Sequence, residues 1–141
     1  MSVEQINVRE PIQIRDSDLT GSSFSNVKLG NARFENVNLQ QSLFHDVNLT
    51  GAAFSDVNLT NVAIADANVT GSSFSNAKLA SARFENVNLQ QSLFHDVNLT
   101  GAAFSDVNLT NVAIADANLT GMTINGVLVS DLFGAYENRG K

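Results

Sequence analysis

The chain has 141 residues, no cysteine and a formal net charge of −6, with only 16% of its residues charged. Without cysteine, disulfides and thiolate metal sites are excluded, and an acidic, weakly charged chain lacks the basic surface that nucleic-acid binding by counterion release requires. Its apolar runs are a few residues long, and the N-terminal stretch MSVEQINVREPIQIRDSD carries charges where a signal peptide needs an apolar core, so a soluble, cytoplasmic protein without a membrane partner is expected.

The length fits a single domain spanning 1–141. Residues 1–11 read as an N-terminal cap in which Ile6 and Val8 alternate like a short strand before Pro11, the only proline. Ile12, Ile14 and Leu19 lead into a regular series in which a large apolar residue stands at every fifth position, from Phe24, Leu29, Phe34, Leu39 and Phe44 through Ile114, Leu119, Ile124 and Val129. Two residues before each stands a smaller one, such as Val27, Ala32 or Ser42, and the other three places are mostly polar. The repeat region is therefore set at 12–129.

A helix cannot use this pattern, because five residues advance about 500° and would spread the apolar positions over every face. A straight strand cannot use it either, since an odd period throws each successive pair onto the opposite face. If each unit of five is a short side followed by a corner, both apolar residues point inward. Four corners then close a square coil of twenty residues, and about six such coils stack at the spacing of paired strands, about 4.8 Å. The expected fold is all-β: a right-handed quadrilateral β-helix with a short C-terminal helix. Gly21, Gly51, Gly71, Gly101 and Gly121 fall at corner positions shared with Asn26, Asn31, Asp46, Asp56 and Asn61, residue types that tolerate the positive φ of tight turns.

Inside the repeats, residues 21–70 recur as 71–120 and differ only at Val27/Ala77, Gly30/Ala80, Asn31/Ser81 and Val69/Leu119. Two copies this close indicate a recent or engineered duplication. In a twenty-residue coil, positions 24, 44, 64, 84 and 104 form one wall and 34, 54, 74, 94 and 114 the opposite one, so a fifty-residue shift carries phenylalanine onto phenylalanine walls. Beside each wall Phe stands Ala or Ser, whereas Ile64 and Ile114 have Val62 and Val112, the volume compensation of a lumen of fixed width.

No catalytic, cofactor-binding or metal-ligating set is read from the sequence. There is no Gly-x-Ser-x-Gly elbow, phosphate loop or dinucleotide fingerprint. His45 and His95 follow inward-pointing phenylalanines, so they face solvent on opposite walls, where they cannot share one metal ion. Asn48, Asn68, Asn88 and Asn108 stack on one wall and Asn38, Asn58, Asn98 and Asn118 on another, expected to bond along the stack or to turn backbone. Acidic residues gather on the phenylalanine walls, with Asp46, Asp66, Glu85 and Asp106 on one and Glu35, Asp56, Asp96 and Asp116 on the other. After Val129 the repeat fades, and Ser130-Asp131 opens a short helix in the tail 130–141 whose Leu132, Phe133 and Tyr136 share a face. That face either lids the last coil or joins two copies as a homodimer.

The units resemble the pentapeptide-repeat consensus of Ala, then Asp or Asn, then Leu, then two variable residues. Ala117-Asn118-Leu119-Thr120-Gly121 matches it in full and Val47-Asn48-Leu49-Thr50-Gly51 nearly so, with phenylalanine at every other centre as the departure. The resemblance implies the quadrilateral β-helix, and it implies pairing through the C-terminus as in some members. It offers two functions: a non-catalytic structural or interaction scaffold, lengthened by duplication, or a DNA mimic that inhibits type II topoisomerase (DNA gyrase), as the quinolone-resistance members do.

Overall fold

The computed structural model describes the backbone of residues 2–3 and all of residues 12–139. The strand reading at Ile6 and Val8 lies outside the described residues. Along the chain run β1 (Ser2–Val3), β2 (Gln13–Asp18), β3 (Ser23–Ser25), β4 (Arg33–Asn38), β5 (Leu43–His45), β6 (Ala53–Asn58) and β7 (Ala63–Asn68). They continue as β8 (Ser73–Lys78), β9 (Arg83–Asn88), β10 (Leu93–Asn98), β11 (Ala103–Asn108), β12 (Ala113–Ala115), β13 (Thr123–Ile124) and β14 (Val127–Leu128), followed by α1 (Val129–Glu137). Odd-numbered strands up to β13 stack in order as one parallel sheet, and even-numbered ones up to β12 as a second.

The register is the twenty-residue coil expected from the period. Phe24 lies over Phe44, then Ile64, Phe84, Phe104 and Ile124. On the other side Ile14 lies over Phe34, then Phe54, Phe74, Phe94 and Ile114. Strand spacing forces the rings face to face, with centroids 4.5 Å apart for Phe24 and Phe44 and 4.8 Å for Phe54 and Phe74. Across the lumen the two stacks meet edge to face, as Phe84 and Phe94 do at 6.4 Å, the geometry that ring quadrupoles favour. Both stacks are buried, and Leu29, Leu39, Leu49 and Leu59 fill the sides between them.

Two kinds of corner alternate. At one, the chain closes a four-residue turn in which the Ala32 N–H donates to the Leu29 carbonyl at 3.0 Å and the Ala52 N–H to that of Leu49 at 3.0 Å. The third residue of each, Asn31 or Gly51, has φ of 59° or 69°, as in a type II turn. At the other corner a single left-handed residue, such as Asp46 at 54°, bends the strand. The expected Gly, Asn and Asp fill most of these places, but Gln41, Ser81 and Gln91 hold φ of 60°, 59° and 61°. A left-handed conformation costs such residues about 1–2 kcal/mol each.

Serine hydroxyls buried beside the phenylalanines reach back one coil. Ser42, Ser72 and Ser92 donate to the carbonyls of Leu19, Leu49 and Val69 at 3.1, 2.7 and 2.8 Å, each 23 residues earlier. The buried Oγ of Ser22 has no partner among the described residues.

The C-terminal end departs from the expected boundary. Asn125 and Gly126, with φ of 49° and 79°, form a tight reversal. It pairs β13 with β14 antiparallel, Thr123 opposite Leu128 and Ile124 opposite Val127. Asn-Gly suits the type I′ hairpin turn, whose two central residues are both left-handed. Parallel stacking therefore stops at Ile124. Val129 continues the count of five only by coincidence; it starts α1, is buried, and donates its N–H to the Met122 carbonyl at 3.0 Å.

Candidate functional site

The C-terminal end holds the residues expected to cap the rod. The helix packs beside β14 and buries only Val129. Leu132, Phe133 and Tyr136 are 47%, 53% and 62% exposed, so they do not lid the last coil. The hairpin sets β14 against β13, and only Val129, at the start of the helix, is tied back to the last coil through Met122. What the helix leaves uncovered is itself apolar: Ile114 is exposed, and Leu109, Val112 and Leu119 are half-buried. Arg139 folds back on the helix, its guanidinium carbon 3.7 Å from the centre of the Tyr136 ring and its Nη1 donating to the Tyr136 carbonyl at 3.2 Å.

The asparagine columns serve the corners. Asn48 Oδ1 accepts from the Thr50 N–H and hydroxyl at 2.9 and 2.6 Å, and Asn58, Asn68 and Asn108 do the same with Thr60, Thr70 and Thr110. Of the two expected roles the amides take the turn-backbone one. Asp18 plays this part with Thr20, whose hydroxyl and N–H hold the Asp18 carboxyl below the usual carboxylate range.

The corner acids form columns along the rod. Asn86 donates to Asp66 at 2.7 Å and Asn36 to Asp16 at 2.8 Å, so an amide separates most neighbouring carboxylates. Asp46 and Asp66, and on the opposite wall Asp96 and Asp116, stack directly, and a histidine stands at each of these steps. His45 Nε2 lies 3.0 Å from Asp66 and its Nδ1 3.5 Å from Asp46; His95 repeats this with Asp116 at 3.2 Å and Asp96 at 3.5 Å. The bond from Asn86, then that with His45, draws the Asp66 carboxyl below its ordinary value. The histidines do face opposite walls, as expected. Of their carboxylate partners, Asp46 and Asp96 are the next residues in the chain, and Asp66 and Asp116 stand 21 residues on, one coil plus one, an offset that the spacing of five does not reveal.

Beside each acidic column runs an open groove whose lining is polar and apolar in about equal parts. The larger, about 1090 Å³, is floored by Val47 and Val87 and rimmed by Asp46, Asp66, Asn48 and Asn88. Leu43 and Leu93 project from the walls at 41% and 45% exposure, as isolated apolar groups. Among the described residues no helix is long and apolar enough to cross a membrane.

Residues 17–94 and 37–114 match the family model described as a pentapeptide repeat region. A pentapeptide repeat protein from the Arabidopsis thaliana thylakoid lumen is similar in structure, with 34% identity and a TM-score of 0.53 over 64% of this chain and 67% of its own. HetL, a pentapeptide repeat protein involved in heterocyst differentiation regulation in the cyanobacterium Nostoc sp. strain PCC 7120, is 14% identical, with a TM-score of 0.29 over 89% of this chain and 90% of its own. The plasmid-mediated fluoroquinolone resistance protein QnrB1 is 13% identical, with a TM-score of 0.28 over 97% and 98%. The last two overlaps are too loose to bear on this chain. No curated protein sequence matches it. With glycine, asparagine and aspartate at its corners, phenylalanine and leucine stacked in its lumen, and the family model matched from residue 17 to residue 114, the chain belongs to the pentapeptide-repeat family.

Proposed function

We propose that the chain is a non-catalytic interaction scaffold, a stiff rod that joins a second copy through its C-terminal end. The observation that carries this reading is the apolar surface that this end of the rod leaves in water, Ile114 on the last coil and Leu132, Phe133 and Tyr136 on the helix. Large apolar side chains exposed at one end of a molecule mark an interaction site, and a two-fold pair covers the same surface on both partners at once. The non-catalytic part rests on the filled lumen, on grooves that lie open along the walls, and on histidines whose ring nitrogens already face carboxylates.

Light scattering tests the pairing. The wild-type protein should have the mass of a dimer and Phe133→Asp that of a monomer, with an unchanged far-ultraviolet spectrum. A wild-type chain that stays monomeric at high micromolar concentration ends the reading. DNA mimicry has less support, because the paired acids share their charge with histidine and amides interrupt the rest of each column. Gyrase supercoiling should continue unaffected at tens of micromolar protein.

A further inference from the structure

Consecutive carboxylates on adjacent coils repel, and a rigid stack cannot spread them apart. Asp46 and Asp66 sit at left-handed corners with φ of 54° and 53°, and the coils beneath them are tied by the Asp46 N–H to the Ala65 carbonyl and by the pairing of His45 with Ala65. Their side chains, 50% and 45% exposed, remain free to adjust, as does His45 at 42%. The same three residue types in the same places recur as His95, Asp96 and Asp116, with neighbours that also match: Ser73, Ser75, Ala113 and Ala115 repeat Ser23, Ser25, Ala63 and Ala65.

We propose that His45 with Asp46 and Asp66, and His95 with Asp96 and Asp116, are two equivalent sites for a divalent transition-metal ion, presented on opposite walls of the rod. In each triad the three ligand atoms lie within 4.8 Å of one another. The 3.0 Å between His45 Nε2 and Asp66 Oδ2 is the separation of two ligands on one ion, because bonds of about 2.1 Å spanning it meet at about 90°. The ion takes the place of the proton between nitrogen and carboxylate, the aspartate that follows the histidine in the chain turns in beside it, and water completes the shell. One imidazole and two carboxylates select zinc, copper or nickel over magnesium and calcium, which prefer oxygen alone. Position along the columns supplies the specificity: elsewhere an asparagine amide separates the carboxylates and no histidine is near. Two and a half coils part the sites, about 12 Å along the axis, and they face away from each other, so a shared ion within one chain is excluded and each site acts alone.

Calorimetric titration of the untagged full chain with zinc chloride, in excess magnesium, tests this. Saturable binding of two ions per chain is expected, falling to one in His45→Ala and to none in His45→Ala/His95→Ala, while the far-ultraviolet spectrum stays unchanged. Cobalt(II) should broaden the imidazole proton resonances of both histidines before any other signal. Unsaturable zinc binding by the wild type, or a stoichiometry that survives loss of both histidines, overturns the proposal. Phe133→Asp should bind two ions like the wild type, which separates this outcome from that of the pairing experiment.

Discussion

The two copies, 21–70 and 71–120, are almost one sequence, yet their last coils have different fates. Ile64 is 1% exposed and its twin Ile114 is 37% exposed; Leu59 and Val62 are buried where Leu109 and Val112 are half-buried. Nothing in the side chains accounts for this. The first copy carries a further coil on top of it and the second carries only a hairpin over part of its edge. Burial in a stacked rod is conferred by the next coil as much as by the residue itself, which is what nearest-neighbour stability means in a repeat protein.

The sharpest test compares twins. Phe74 is sandwiched between Phe54 and Phe94, whereas its counterpart Phe24 stacks face to face, among the described residues, on one ring, that of Phe44. Phe74→Ala should destabilise by about 3–5 kcal/mol in urea, and Phe24→Ala by less. Ile64→Ala should cost about 2–5 kcal/mol, and Ile114→Ala clearly less than its twin; equal costs would break the comparison.

A smaller effect has the opposite sign. Ser81 replaces Asn31 of the first copy at a left-handed corner, so Ser81→Gly should stabilise by up to about 1 kcal/mol, seen as a raised denaturation midpoint. Smallest is a pH effect at Asp18, whose place in the stack is taken by Asn38, Asn58, Asn98 and Asn118 on other coils. Because folding lowers the Asp18 carboxyl pKa, its contribution is present above the unfolded value, about 3.9, and is lost as pH falls through the folded one. Asp18→Asn keeps the acceptor for Thr20 and should flatten stability across that acidic range; an unchanged acid limb would show that the carboxylate has no such role.

How much of this was legible depended on whether a feature obeys the period. Coil length, the two phenylalanine walls and the corner positions follow from the spacing of Phe24, Leu29 and Phe34, because only one backbone path keeps those residues inside. The end of the rod was not legible, since Val129 keeps the spacing while Asn125-Gly126 reverses the chain; a turn signal of two residues outweighed a repeat of twenty-four. Gln41 and Gln91 at left-handed corners were missed because stacking imposes the turn whatever residue occupies it. The histidine clusters were missed because they join residues on successive coils, a proximity that emerges only once the coil is closed. Leu132, Phe133 and Tyr136 fall on the short helix expected there, but their exposure depends on how that helix follows the hairpin, which the spacing of apolar residues does not encode.

The alternation of phenylalanine and leucine centres gives the rod a graduated scale. Ten residues added anywhere among the coils bring like onto like and leave the lumen filled; five would set leucine beneath phenylalanine all the way to the end. Growth is therefore allowed only in tens, and every odd multiple swings the final cap to point the other way, so length and heading cannot be chosen independently.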